Sequence, residues 1–366
     1  MKFELWKIYA KKVNFLFPIM LIAFLLIPLL VQLLTSQSTR DQEYKEYLQS
    51  QQLSAEANLA LYQQNDGNEN AINRYQTRLE HMQAQYMALL DEDMEKERIE
   101  KEWVETNILE EMVEGGLDEA INQQKLLVAT LHYFNTHDAT YYPNNRVQKL
   151  PFVNVLLLMA NMLPMVVFLF ICGLFAANFA SAEFTDHTEV FLETVPQKIA
   201  KLFLQKFLLH LSMIFASLII GLLLVFIGSV PIGGLGSWRY PVLYLDQDLA
   251  VHTFTAGNYL AKVGVSLIVG IFLFVLVAEA GAYFGRSFLV SFGAVAGVTL
   301  FSFMSTYLPQ NLGRFLATTY LDTPNLLLQK TPWGTLSLSW KLGIGLQIAM
   351  CLLLFFGLLG YFHKKN

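Results

Sequence analysis

Residues 202–230 read LFLQKFLLHLSMIFASLIIGLLLVFIGSV, twenty-nine positions whose one formal charge is Lys206. Such a run has no stable place in water, because about 20 consecutive apolar residues in a helix match the hydrocarbon core of a bilayer. Five more blocks of the same character lie around it, at about Val13 to Leu34, Phe152 to Asn178, Tyr259 to Tyr283, Phe288 to Leu308 and Leu342 to Phe362. The chain has 366 residues, 54% hydrophobic and 15% charged. A soluble globular domain carries about 25% charge, so a polytopic membrane protein is the reading. The first block is longer than a typical signal-peptide core and no small-residue cleavage site follows it, so it is expected to be a retained span. The two cysteines, Cys172 and Cys351, both lie inside apolar blocks, which excludes a disulfide framework or a cysteine metal cluster.

Between the first two blocks the composition reverses. Residues 36–150 hold 21 acids and 10 bases, whereas the rest of the chain is net basic. The segments Glu43 to Gln64, Asn70 to Val113 and Leu117 to Phe134 are rich in helix formers and contain no proline, with breaks at Asn65-Asp66-Gly67-Asn68 and Gly115-Gly116. In the second segment Ile72, Tyr75, Leu79, Met82, Tyr86 and Leu89 recur at helical spacing, which predicts one buried stripe and a hairpin or small bundle. The run 91–114 carries eleven acids and three bases. It reads either as a solvated face or as an attractor of cationic ligands.

Orientation follows from lysine and arginine in the short connections. Lys2, Lys7, Lys11 and Lys12, then Lys198, Lys201 and Lys206, then Arg286, then Lys364 and Lys365 all fall on one side if there are six spans. Both termini are therefore expected in the cytoplasm, with the acidic insertion, the Pro231 to Gly257 loop and the Pro309 to Lys341 loop outside. Residues 1–12 interleave aromatics with lysines, as either an interfacial helix or the start of the first span does.

No phosphate-binding Gly-x4-Gly-Lys-Ser/Thr loop, His-Glu-x-x-His, Gly-x-Ser-x-Gly or Cys-x-x-Cys occurs. This predicts no catalytic residue, metal or cofactor in the chain, and nothing in it points to nucleic acid. Asp246, Asp248 and His252 are the one alternative, read as a divalent-ion site or as ordinary solvated turn residues.

The second basic connection reads ASAEFTDHTEVFLETVPQKIAK over 180–201. Phe184, His187, Val190, Phe191 and Thr194 share one side of a short helix, Glu183, Asp186 and Glu193 charge its surroundings, and Pro196 stops it. An exposed, partly apolar helix between two spans is a docking element or a connector resting on lipid headgroups. The string Glu-Phe-x3-Thr-x5-Thr-x-Pro-x4-Lys-x4-Lys-Phe, from Glu183 to Phe207, resembles the cytoplasmic stretch between the second and third spans of type-2 ABC exporter permeases. His187 stands where that family usually has glycine before Thr188. The resemblance implies a bacterial cell-membrane permease, paired with a second copy or a paralogue and driven by separate nucleotide-binding ATPase subunits that hold ATP and Mg. It further implies that residues 181–197 form the coupling helix, with Glu183, Phe184, Asp186, Thr188, Val190, Phe191, Glu193 and Pro196 meeting the ATPase.

Inside the spans, Glu279 lies about two helical turns from Arg286, and intramembrane acids are functional candidates. Lys206 and His210, one turn apart, are its candidate partners. Asn154, Asn161 and Asn178 either line a path or join helices by hydrogen bonds, and Pro164 bends their helix. Gly264, Gly270, Gly281, Gly285, Gly343 and Gly345 permit close helix approach, within the chain or between two copies. The run Thr318 to Leu328, with Trp333 and Trp340 after it, predicts a re-entrant or surface-lying helix.

The expectation is an all-α polytopic membrane protein with six transmembrane helices and an extracellular helical hairpin or bundle after the first. Its parts are 1–35, 36–150 and 151–366. Its expected work is export of a peptide, lipid or antibiotic, including resistance to antimicrobial peptides. The alternative is a non-transporting membrane sensor or immunity protein that binds a ligand through its outer helices.

Overall fold

The computed structural model describes residues 16–34, 37–64, 69–115, 118–137, 150–185, 199–246, 250–305, 308, 310–328 and 339–364. The chain is mostly helical and divides into two compact units, each described by itself. One comprises Met1–Val31, Pro151–Arg239 and Thr255–Asn366; the other comprises Gln32–Leu150 and Tyr240–Phe254.

The apolar unit contains α1 (Leu16–Leu34, its last turn reaching the other unit), α6 (Phe152–Met162), α7 (Met165–Thr185), α8 (Ile199–Gly233), α9 (Ala256–Gly285), α10 (Phe288–Ser305) and α13 (Trp340–Lys364). Five of these, α7 to α10 and α13, are long and apolar enough to cross a membrane. The block expected as one span over 152–178 is instead two helices. Leu163 is extended, at φ −87 and ψ 118. Pro164 causes this, since its ring crowds the preceding residue out of the helical region and it brings no N–H to the ladder. The helix long and apolar enough to cross therefore begins at Met165 and runs to Phe184. The first block forms an apolar helix over Leu16–Val31, shorter than the five.

Helix α9 is the centre of this unit, with Ile271, Leu273, Phe274, Val275 and Ala278 wholly enclosed. Thr255 caps its start by accepting from Asn258 N, and Arg286 ends it in the left-handed region at φ 47. Close approach to α10 depends on Gly281, where a Cβ would stand 2.7 Å from Ser291 Cα. Gly270 and Gly343 are likewise filled by Leu169 and Tyr320 of the same chain, whereas Gly264 and Gly345 face open space. Helix α1 seats Leu25 on Gly221 and Leu29 on Gly228 of α8. Beyond α10 come α11 (Gln310–Gly313), a 3-10 turn over Ala317–Tyr320 and α12 (Thr323–Leu327). The expected helix over 318–328 is thus two short pieces packed inward, where Ser302 Oγ donates to Thr318 O at 2.9 Å. Trp333 lies outside the described residues.

The polar unit has four helices in chain order, α2 (Gln37–Gln64), α3 (Glu69–Leu90), α4 (Met94–Gly115) and α5 (Asp118–Thr136). Each packs against the next. Tyr75, Leu79, Met82 and Leu89 of the anticipated stripe are buried. The helix expected to run unbroken from Asn70 to Val113 is interrupted at residues 91–93. Glu92 sits at φ 59, and the Asp93 carboxylate accepts from Lys96 N at 3.1 Å as a cap. Residues 231–257, expected as a loop, contain a hairpin of β1 (Pro241–Leu245) and β2 (Val251–Thr255). Tyr244 stacks on Phe254 with ring centroids 4.7 Å apart, a cross-strand aromatic pair. Tyr240 packs on Phe134 of α5 at 5.5 Å, so the hairpin belongs to the polar unit.

Candidate functional site

Four ionisable side chains are buried together on three helices of the apolar unit. Lys206 of α8 pairs with Glu183 near the end of α7, at side-chain exposures of 7% and 6%. One turn along α8, His210 approaches Glu279 of α9, with Nδ1 2.6 Å from Oε1 and exposures of 4% and 0%. The approach is close but not aligned as a hydrogen bond, and Glu279 Oε2 has no hydrogen-bond partner among the described residues. Helical spacing explains the grouping. Lys206 and His210 are i and i+4 on one face of α8, and that face is buried with Phe203 and Phe207. Around it the walls are aromatic: Phe179 lies 5.6 Å from the His210 ring, and Tyr283 stands edge-on to Phe184 and Phe203. Desolvating an ion is expensive, so four such groups inside an apolar bundle persist only by compensating one another.

The candidate partners of Glu279 are thereby divided: His210 meets it, whereas Lys206 is engaged by Glu183. Glu183 itself differs from expectation. Its carboxylate turns into the bundle toward Lys206 instead of outward toward another subunit, because burial beside a cation costs less than burial alone. Phe184 packs on Tyr283 of α9. Asp186, Thr188, Val190, Phe191, Glu193 and Pro196 lie outside the described residues. Asn161, exposed, accepts from Tyr259 OH at 3.4 Å, and Asn154 is buried with Oδ1 unpartnered among the described residues. His252 Nε2 and Asp246 Oδ2 lie 2.7 Å apart on the hairpin, and Asp248 is outside the described residues. Among the described residues no cluster of three or more His, Cys, Asp or Glu side chains is arranged to hold a metal ion.

The polar unit holds a second buried network that the apolar stripe did not reveal. Arg78 is buried and donates to Asn107 Oδ1 at 2.8 and 2.6 Å and to Glu111 Oε2 at 2.6 Å. Burial works against the charged form of Glu111. Hydrogen bonds from Tyr75 and Arg78, with the charges of Arg78 and Arg74, more than offset that and hold its carboxyl below the ordinary range. Burial and the hydrogen bond to Glu111 push the Tyr75 hydroxyl up to about 12. Nearer the α3–α4 turn, Glu97 accepts from Tyr44 OH at 2.9 Å and from Gln85 Nε2 at 3.0 Å. These contacts fasten the helices to one another, and of the eight glutamates of α4 three, Glu95, Glu110 and Glu114, are exposed.

No family of known proteins, no curated protein and no solved structure matches the chain.

Proposed function

We propose that the chain is the membrane-spanning subunit of a bacterial ATP-driven exporter of the type-2 ABC kind. In this reading it crosses the cell membrane six times with both termini in the cytoplasm, and α1 is the first crossing. The helical unit with its hairpin lies outside. ATP and Mg belong to separate ATPase subunits, and a second permease copy or paralogue completes the pore. The observation that carries the proposal is the buried pair Glu183–Lys206, which ties the end of α7 to the early turns of α8. The two helices that flank residues 186–198 are thereby tied to each other, so a force applied between them would reach both. The motif from Glu183 to Phe207 and the absence of a phosphate-binding loop support the same assignment.

The substrate is an amphipathic or hydrophobic molecule, a peptide, lipid or antibiotic, and the acid-rich outer helices favour a cationic one. The test is co-purification of the full chain with nucleotide-binding subunits, followed by ATPase assay in lipid nanodiscs with candidate substrates. Substrate-stimulated hydrolysis that Val190→Ala and Phe191→Ala reduce is the expected result. Export that proceeds without any ATPase overturns the proposal. A kinase or peptidase captured on residues 186–198 in place of an ATPase favours the sensor alternative.

A further inference from the structure

Glu279 is wholly enclosed, lies against one imidazole, and has neither carboxylate oxygen in a hydrogen bond among the described residues. An acid used only to fix helix packing would spend both oxygens on donors, because each unmet acceptor inside an apolar bundle is costly. The charged and titratable groups on the packed helices are few. Helix α7 brings Cys172 and Glu183, α8 brings Lys206 and His210, α9 itself brings Tyr259, Lys262 and Tyr283, and α13 brings Lys341 and Cys351; Lys201, Arg286, Tyr361 and His363 are exposed beyond them. From α10 comes a hydroxyl only, Ser291, and it donates to Ala278 O at 2.7 Å and not to Glu279. The order Glu183, Lys206, His210, Glu279 runs from the end of α7 that leads into residues 186–198 toward the interior of the bundle.

We propose that His210 and Glu279 form a binding site for one exchangeable proton, and that Glu183 and Lys206 are the route by which it enters and leaves from the end bearing residues 186–198. On binding, hydronium gives up its proton to the pair and becomes water, and an O–H or N–H bond forms at Glu279 or His210. On release the same bond breaks, the proton returns to water, and the electron pair stays on the oxygen or nitrogen. The pair then holds one more unit of negative charge in an apolar surround. Glu279 must find another donor or move toward water, which loosens α8 against α9. Proton occupancy is thereby linked to helix packing. The site goes beyond the transport reading and does not depend on it, since the proton is the ligand and no ATPase is required.

The experiment uses the full chain in lipid nanodiscs. Thermal unfolding is followed between about pH 5 and about pH 9, the window in which histidine-linked sites titrate. One pH-dependent component of the melting curve is expected to vanish in Glu279→Gln, to vanish equally in His210→Gln, and to show no further loss in the double variant, because a shared proton belongs to the pair. Wild-type dependence surviving in both variants, or separate components lost in each, overturns the proposal. Should either variant fail to fold, pH-difference infrared spectra of the wild type with carbon-13 glutamate decide. A pH-dependent glutamate band is expected, either a glutamic-acid carbonyl when the proton sits on Glu279 or a shifted carboxylate stretch when it sits on His210, and the absence of both throughout the range overturns the site. The double variant Glu183→Leu with Lys206→Met, which removes both charges of the pair, slows the response of that band to a pH jump; an unchanged rate removes the route.

Discussion

Lys206 shows how much one side chain carries inside an apolar bundle. Lys206→Met leaves the Glu183 carboxylate buried without this cation, and breaking a buried pair from one side costs about 3–5 kcal/mol. The double variant Glu183→Leu with Lys206→Met removes both charges and is expected to recover most of that loss. Reactivity of Cys172, fully enclosed in α7, measures both outcomes as the temperature at which the thiol becomes accessible. In the polar unit the sensitive residue is Glu111. Its folded carboxyl is depressed, so its stabilisation is complete above the ordinary carboxylate range near about pH 4.3 and is lost as pH falls through the folded value. Helical circular dichroism of the full chain should therefore melt earlier in acid, and Glu111→Gln should remove that part of the acid sensitivity. Helical spacing in the sequence put Lys206 and His210 on one face of α8, but which of them would reach Glu279 depended on how α7 and α9 lie against that face. That is a tertiary fact, and no residue pattern within one helix encodes it.

Elements end where backbone chemistry forces them to. Pro164 divides an apolar block that hydropathy alone joins, since burial is indifferent to whether a helix continues while the missing N–H is not. The turn between α3 and α4 places Glu92 in the left-handed region, a conformation that costs a side-chain-bearing residue about 1–2 kcal/mol. Glu92→Gly should raise the stability of the helical unit by up to about 1 kcal/mol, and Glu92→Val should lower it, both read from thermal melts. The long helices were legible because apolar runs and helix-forming composition extend over many residues. The hairpin was not, although Val242, Tyr244, Thr253 and Phe254 are residues that favour strands. Two five-residue segments flanking acidic turn residues carry too little periodicity to stand out from a loop. Buried Arg78 and Gln85 escaped for a related reason: they share a face with Tyr75, Leu79 and Met82, and polarity alone would put them outside.

At the scale of the molecule, five helices satisfy the length for crossing, and the proposed topology adds α1 as a sixth. An even number of crossings returns both ends to one side. Single cysteines at Lys45 and at Lys201, introduced after replacing Cys172 and Cys351, test this in intact cells with a membrane-impermeant maleimide. Labelling at 45 and protection at 201 is the expected pattern; the reverse would invert the protein in the membrane. Membrane character and an acidic helical insertion were legible in the sequence from composition alone. The assignment of Tyr240–Phe254 to the polar unit was not, because it joins residues far earlier in the chain. Phe134 of α5 packs on Tyr240, so the ribosome must make α7 and α8 before that surface can be covered. A nascent chain stalled before residue 240 would hold an unfinished helical cluster, open to proteases and chaperones. Completion of the hairpin is then the late step that closes it.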